Sequence, residues 1–351
     1  MSSAGKVIRT GILSYGMSGK VFHCPLLHVN KGFAMKKIMQ RSSDDALERY
    51  PYVTVVRTAE EIFNDPEIDL VCVNTPDHTH YEYTKAALLA GKHVVVEKPF
   101  IHEIEEGVEL IELARKKNRI LTVYQSRRWE GDFLTIQKIL KEGLLGRLVS
   151  YEAHFDRFRN FIRESWKEDS NLKASTLYNL GSHLIDQALL LFGIPEAVYA
   201  DMRKQRTGSG VYDYFDLNLY YPELKVTLKS GYLVREPGAR FMLHGTEGSY
   251  VKYGIDPQEE DLTNGRYPDE PDWGKEPESN WGILNTNFKG IHFRGPVETI
   301  PGCYPEFYNL LYQCLVNGKE LPVDPSDSLN GIKIIKAAYE SVGKRSAILT
   351  K

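Results

Sequence analysis

The stretch Val94-Val95-Val96-Glu97-Lys98-Pro99 decides the fold. Three consecutive β-branched residues suit a strand buried on both faces of a parallel sheet, and the run stops at an acid, a base and a proline. Parallel sheets hold ligands in the crevice beyond the carboxyl ends of their strands, so Lys98 is expected to face that crevice rather than bulk water. Pro99 keeps Lys98 extended and makes Lys98–Pro99 a bond where a cis peptide costs little. Taken alone, the hexapeptide fits equally well a strand running out into solvated charges.

Its neighbours favour the first reading. Upstream, Ile68 to Val73 has strand character and leads into Asn74-Thr75-Pro76-Asp77-His78-Thr79-His80, where Asp77 or Thr79 is expected to cap a helix from Tyr81 to Leu89 that Gly91 ends. His78 and His80 without a cysteine or acid cluster make no metal site. Downstream, a helix from about Glu103 to Lys117 precedes the strand Ile120 to Tyr124. Strands and helices alternating at this spacing predict a doubly wound sheet.

The chain opens with the strand-like Val7 to Leu13 and then Ser14-Tyr15-Gly16-Met17-Ser18-Gly19, a dinucleotide fingerprint with serine at its first glycine. A helix from Lys20 to Val29 would point its N–H groups at an anion, with Pro25 delaying or breaking it. The second strand, Met35 to Met39, ends in Gln40-Arg41-Ser42-Ser43 ahead of Asp44 and Asp45. An acid here holds the ribose of NAD and an arginine accommodates a 2′-phosphate, so Arg41 and Ser42 favour NADP, with NAD possible. A surface Arg-Ser turn is the alternative.

Bulk properties agree. A chain of 351 residues exceeds what one core usually supports, so two domains are expected. A net charge of -3 carries no footprint for nucleic acid or an anionic membrane, which leaves small molecules as partners. Cys24, Cys72, Cys303 and Cys314 have neither C-x-x-C nor zinc spacing and read as free thiols. Without a charged-then-apolar leader or an apolar run near roughly 18 residues, a cytoplasmic protein is expected.

In this order Gly16-Met17-Ser18-Gly19, Thr75-Pro76 with His80, Glu97-Lys98-Pro99, Arg127-Arg128-Trp129 and Gly181-Ser182-His183 with Asp186 resemble the glucose–fructose oxidoreductase and inositol dehydrogenase (Gfo/Idh/MocA-type) family. Phe22 to Leu27 and Leu177 to Asp186 look most like its NADP-dependent scyllo-inositol dehydrogenase branch. The resemblance covers essentially the whole chain. It implies an N-terminal Rossmann-type domain over 1–125 and an α+β domain over 126–351 with a large, mostly antiparallel open sheet. The second domain would bind substrate and form a homodimer or homotetramer. Cofactor contacts would come from Ser14 to Gly19, Arg41, Ser42, Thr75, Pro76, His80, Glu97 and Lys98. Trp166 resembles a further cofactor-side residue, though it could equally be structural.

The second half has strand character at Leu148–Phe155, Ala197–Met202, Tyr214–Tyr220, Lys225–Ser230, Arg240–His244 and Ser249–Tyr253, without intervening helices after Gly193. Residues 256–285, rich in Asp, Glu and Pro, read as a long loop, and helices return at Pro305 to Val316 and Ser328 to Ser341. A helix to Phe192, stopped by Gly193 and Pro195, would put Asn179 and His183 on one face.

The resemblance assigns His183 as general acid/base, Lys98 as the donor to the reacting oxygen, and Arg157, near Asp156, to the substrate side along with Asn179. Relatives commonly carry aspartate where Asn179 stands, and an amide orients an imidazole without adding charge. The reaction implied is hydride transfer between NADP and a secondary alcohol or ketone of a polyol or sugar. A cofactor-binding regulator and an NAD-dependent glycosidase are the alternatives.

Overall fold

The computed structural model describes residues 6–169 and 174–350. They form two compact units, Met1–Trp129 with Pro257–Trp273 and Cys303–Leu329, and Glu130–Asp256 with Gly274–Gly302 and Asn330–Lys351.

The first unit is built on a parallel sheet of β1 (Ile8–Ile12), β2 (Phe33–Met39), β3 (Thr54–Val56), β4 (Leu70–Val73), β5 (His93–Glu97) and β6 (Leu121–Tyr124). Their order, β3-β2-β1-β4-β5-β6, reverses between β1 and β4, where such sheets open their ligand crevice. Val94, Val95 and Val96 are fully buried, with Val95 registered against Cys72 on one side and Thr122 on the other. The expected doubly wound parallel sheet is therefore present, and Lys98, joined to Pro99 by a cis peptide, is the first residue past β5.

The helix after the glycine turn starts as a π-turn over Ser18–His23 and becomes α-helical at Cys24–Val29. Pro25 is the second residue of the α-helical part and falls where the helix changes from π to α, not at a free N-terminus. The helix therefore begins ahead of the proline, at Ser18, and changes pitch beside it instead of starting late. Two later segments complete the unit. Helix Pro305–Asn317 sets Phe307 edge-on to Tyr124 at 4.9 Å. The Thr122 hydroxyl donates to the Val323 carbonyl at 2.7 Å, and Arg49 stacks on Tyr267 at 4.2 Å.

Residues 256–285 are not one long loop. They hold helix Gln258–Thr263 and the strand β13 (Gly282–Phe288). Glu259, Glu260 and Asp261 fall in that helix's first turn, where the helix dipole favours acids, so a composition typical of loops concealed a helix start.

In the second unit β13 joins a nine-stranded sheet with β7 (Leu148–His154), β8 (Ala197–Arg203), β9 (Tyr214–Tyr220), β10 (Lys225–Gly231), β11 (Phe241–Gly245), β12 (Gly248–Lys252), β14 (Ile291–Val297) and β15 (Ile348–Leu349). Only the β7–β10 pair is parallel. Lys289 and Gly290 join β13 to β14 with φ of 50° and 82°, the two-residue turn whose twist suits a hairpin. Phe215, Leu217 and Leu219 on β9 are buried on the face that carries helix Ser182–Phe192. Alternate residues make a polar face, where Lys229 meets Asp216 at 2.9 Å and Thr227 donates to Asn218 at 3.1 Å. Among the described residues no helix is long and apolar enough to cross a membrane.

Val95→Ala removes two methyl groups from a site with no solvent access. We expect it to lower the stability of the first unit by about 2–3 kcal/mol, read as a fall in the thermal or urea unfolding midpoint.

Candidate active site

The glycine turn is fixed by its neighbours. The Ser14 hydroxyl accepts the Gly16 N–H at 3.1 Å, closing the turn with a side chain where a glycine is usual. A Cβ on Gly19 would lie 2.1 Å from the Ser14 carbonyl oxygen, so the backbone approach there excludes any side chain. Asn74, at the end of β4, donates to the same carbonyl at 2.8 Å. Tyr15 packs edge-on to Tyr50 at 6.3 Å, Met17 is exposed, and no side chain caps the π-turn. The Lys20 N–H is taken by the Gly16 carbonyl at 2.9 Å, and the uncapped start of the turn ahead of it, at Ser18 and Gly19, fits a dinucleotide pyrophosphate.

Beyond β2 the exposed Arg41 and Ser42 lie on a loop that Gln40 organises, donating to Ser43 Oγ at 2.8 Å and accepting the Ala46 N–H at 2.9 Å. Asp44 and Asp45 are paired with Arg57 at 2.8 Å and Lys20 at 3.4 Å.

Glu97 is the hub of the unit. Its Oε1 accepts the Ser18 hydroxyl at 2.5 Å and lies 3.2 Å from His23 Nε2, while Oε2 accepts the Lys98 N–H at 3.0 Å. His23 Nδ1 in turn is 2.6 Å from the Tyr308 hydroxyl. Burial alone would push the Glu97 carboxyl up, but the His23 hydrogen bond and charge, with Ser18 and Lys98, bring it down to about 2. Burial likewise pulls His23 down, and its contacts with Cys72 and Glu97 outweigh this and raise it to about 9. The pair is thus an imidazolium and a carboxylate at neutral pH.

Two loops past β4 and β5 are tied together below Lys98. His80 Nδ1 lies 2.8 Å from the Pro99 carbonyl and Nε2 3.0 Å from that of Thr75. Burial holds His80 below its ordinary value against the pull of the Pro99 carbonyl, so the neutral ring donates to one of the two. Neither residue expected to cap the following helix does so. Thr79 gives its hydroxyl to the Pro76 carbonyl at 2.6 Å, next to Thr75 Oγ1, and Asp77 faces His102 at 3.3 Å.

In the second unit a second π-turn, Leu177–Gly181, carries Asn179 and leads into helix Ser182–Phe192, which carries His183 near its start. A Cβ on Gly181 would come within 3.1 Å of the Phe215 ring, so the glycine lets the turn settle on β9. His183, Asp186 and Gln187 are buried. Single π-turns inside helices recur at functional sites because they redirect side chains by one position. Arg157 follows β7, its N–H donating to the Gly231 carbonyl at 2.9 Å and its guanidinium 5.2 Å from the Phe155 ring. Trp166 begins the short turn Trp166–Glu168, which Arg206 anchors through Glu168 at 2.7 Å and Asp213 at 2.9 Å.

Residues 8–125 match a family model described as the oxidoreductase family NAD-binding Rossmann fold, and residues 137–348 match its C-terminal alpha/beta domain. The chain belongs to the Gfo/Idh/MocA oxidoreductase family. It is 42% identical over 345 residues, 97% of its length and 96% of the relative's, to scyllo-inositol 2-dehydrogenase (NADP(+)) IolW of Bacillus subtilis. It is 39% identical to the Escherichia coli oxidoreductase YdgJ, with 97% and 98% of the two chains covered. Among crystal structures, an oxidoreductase of Bacteroides fragilis superposes with a TM-score of 0.92 at 49% identity, covering 98% of this chain and 100% of that one.

As a Gfo/Idh/MocA member the protein is an oxidoreductase acting on CH–OH groups, with a Rossmann domain for a nicotinamide cofactor. Sequence reasoning did not find the roles of Asn74, His23, Tyr308 or the Asp77–His102 pair. A polar Asn74 directly after four buried strand residues was the one signal present.

The His23–Glu97 pair predicts a pH signature. Glu97, depressed from 4.5 to about 2, adds stability above its unfolded value that is lost as pH falls toward 2. His23, raised from 6.5 to about 9, adds stability that is complete below 6.5 and lost as pH rises through 9. The melting temperature of His23→Gln should therefore fall furthest below the unsubstituted protein's between about pH 4.5 and 6.5, and the gap should narrow by pH 9. A gap independent of pH would show that the pair is not ionised.

Proposed function

We propose that this protein is an NADP-dependent dehydrogenase of cyclic polyols or sugars, interconverting a secondary alcohol and its ketone, with scyllo-inositol the first substrate to test. The observation that carries this reading is the near-full-length likeness to a relative named for both NADP and scyllo-inositol. Arg41 supports the choice of NADP. It is exposed just past β2 and, among the described residues, has no hydrogen-bond or ion-pair partner, whereas both nearby acids are occupied by cations.

Bound on the glycine turn, the cofactor would supply the hydride donor or acceptor. His183 takes the hydroxyl proton in oxidation and returns it in reduction, a task matched to an imidazole near neutral pH. Lys98 donates to the reacting oxygen and offsets its developing negative charge. Asn179 orients His183, Arg157 binds substrate hydroxyls and Trp166 lies on the cofactor side. The four free cysteines go with a reducing, cytoplasmic setting. The exposed Tyr199 on the sheet goes with a homodimer or homotetramer through its open face.

The test is a panel that measures NADP and NAD reduction with inositols and glucose, NADPH oxidation with keto-inositols and aldoses, and aryl glycoside cleavage. NADP reduction by an inositol or sugar is expected, and tight NADP binding with no turnover on any of them would refute the reading. Lys98→Met should lower kcat by roughly 10²–10³. Asn179→Asp places a carboxylate beside His183 and favours its charged form. The acidic limb of the kcat/KM profile for alcohol oxidation, which needs the neutral imidazole, should then move to higher pH. An unmoved limb would separate Asn179 from His183.

A further inference from the structure

The loop after β2 contains both kinds of residue that select a nicotinamide cofactor. Arg41 and Ser42 offer donors to a phosphate, and Asp44 offers a carboxylate of the kind that accepts the ribose hydroxyls of NAD. Only the first kind is left unengaged. Arg57, one residue past the end of β3, reaches across to the loop with its guanidinium. Its Nη1 donates to the Gln40 and Ser43 carbonyls at 2.8 Å each, and its Nη2 donates to Asp44 Oδ1 at 2.8 Å. The two carbonyls bracket Arg41 and Ser42, so the same group that holds Asp44 also sets the backbone from which those two residues project.

We propose that Arg57 is a specificity-determining residue that keeps the β2 loop selective for a 2′-phosphorylated dinucleotide by sequestering Asp44. This rests on the NADP reading given above. With Asp44 neutralised by Arg57, and Asp45 by Lys20 at 3.4 Å, the guanidinium of Arg41 is the loop's unbalanced charge, and it suits a phosphate dianion. Without Arg57, Asp44 repels that phosphate and is released to accept the vicinal hydroxyls of an unphosphorylated ribose. Arg57 has two of its three nitrogens committed to the loop, which makes it a positioning group rather than a phosphate ligand. The Arg57 and Asp44 side chains are about half exposed, at 48% and 54%, so the pair adds little to stability and its effect falls on cofactor choice.

The experiment measures dissociation constants for NADPH and NADH by fluorescence titration of the full chain, which needs no substrate. A preference for NADPH in the unsubstituted protein is the prior condition. Equal affinities there would overturn the NADP reading itself, independently of any variant. Given that preference, Arg57→Ala should lower the NADPH-to-NADH affinity ratio about tenfold or more. The double variant Arg57→Ala/Asp44→Asn should recover most of the loss, because the freed carboxylate is gone. A purely structural role would weaken both cofactors alike and leave the ratio unmoved. That result, or a double variant no more selective than Arg57→Ala, would overturn the assignment of Arg57.

Discussion

A carboxylate at the end of a strand with no solvent on either face has to be held by the protein, and Glu97 is in that position. Its charge is matched by His23 and its oxygens are filled by the Ser18 hydroxyl and the Lys98 N–H. Uncompensated, such a group would be neutral, because burying a lone charge costs more than protonating it. The pairing therefore imposes an arrangement on its surroundings. The glycine turn supplies Ser18 and its helix supplies His23. Helix Pro305–Asn317 supplies Tyr308 to the far side of the imidazole. A buried ion pair is weak evidence for net stability, but removing one partner typically costs about 3–5 kcal/mol, so the geometry is strongly enforced.

The enforced geometry extends to Lys98. It is the residue after Glu97, and its own N–H is accepted by the clamped carboxylate. On the other side, the Pro99 and Thr75 carbonyls face the two ring nitrogens of His80, whose single proton serves one of them. A lysine has a long, flexible side chain, and fixing its backbone N–H limits where its ammonium group can go. In each unit a helix opens with a π-turn, Ser18–His23 in one and Leu177–Gly181 in the other. Each of these turns also contains a glycine that a side chain would drive into a neighbour, Gly19 into the Ser14 carbonyl and Gly181 into Leu177 and Phe215.

Much of the fold was legible because it rests on local patterns. The run Val94 to Val96, the strands on either side of it and the glycine turn are short-range signals, and they placed the Rossmann sheet correctly. The strands β7 to β12 were found from their period, with ends displaced by one residue or so. What escaped was structure whose stabilising contacts lie far away in sequence. The segment around Tyr267 is rich in acids and prolines and has no apolar period, yet it orders against Arg49 through stacking and a hydrogen bond to the Tyr267 hydroxyl. The hairpin of β13 and β14 went unseen for a related reason, since its order comes from pairing with β12.

By itself the sequence determined the class of protein: a parallel dinucleotide-binding sheet, a second unit built on a mostly antiparallel one, and Lys98 at the end of a buried strand. These follow from side-chain size, branching and charge at fixed spacing, which act over a few residues. Only the tertiary structure decided how the charges are used. Glu97 and Lys98 are adjacent in sequence but have different work, one closed inside a network and the other at the strand's open end. The partners that divide them, His23 and Tyr308, are 74 and 211 residues away from Glu97, and nothing in a linear pattern brings them together. Asp44 gave the same lesson. In the sequence it is an acid after a strand, and the fold turns it to a guanidinium from the next strand, because a charge's role depends on which opposite charge folding delivers to it.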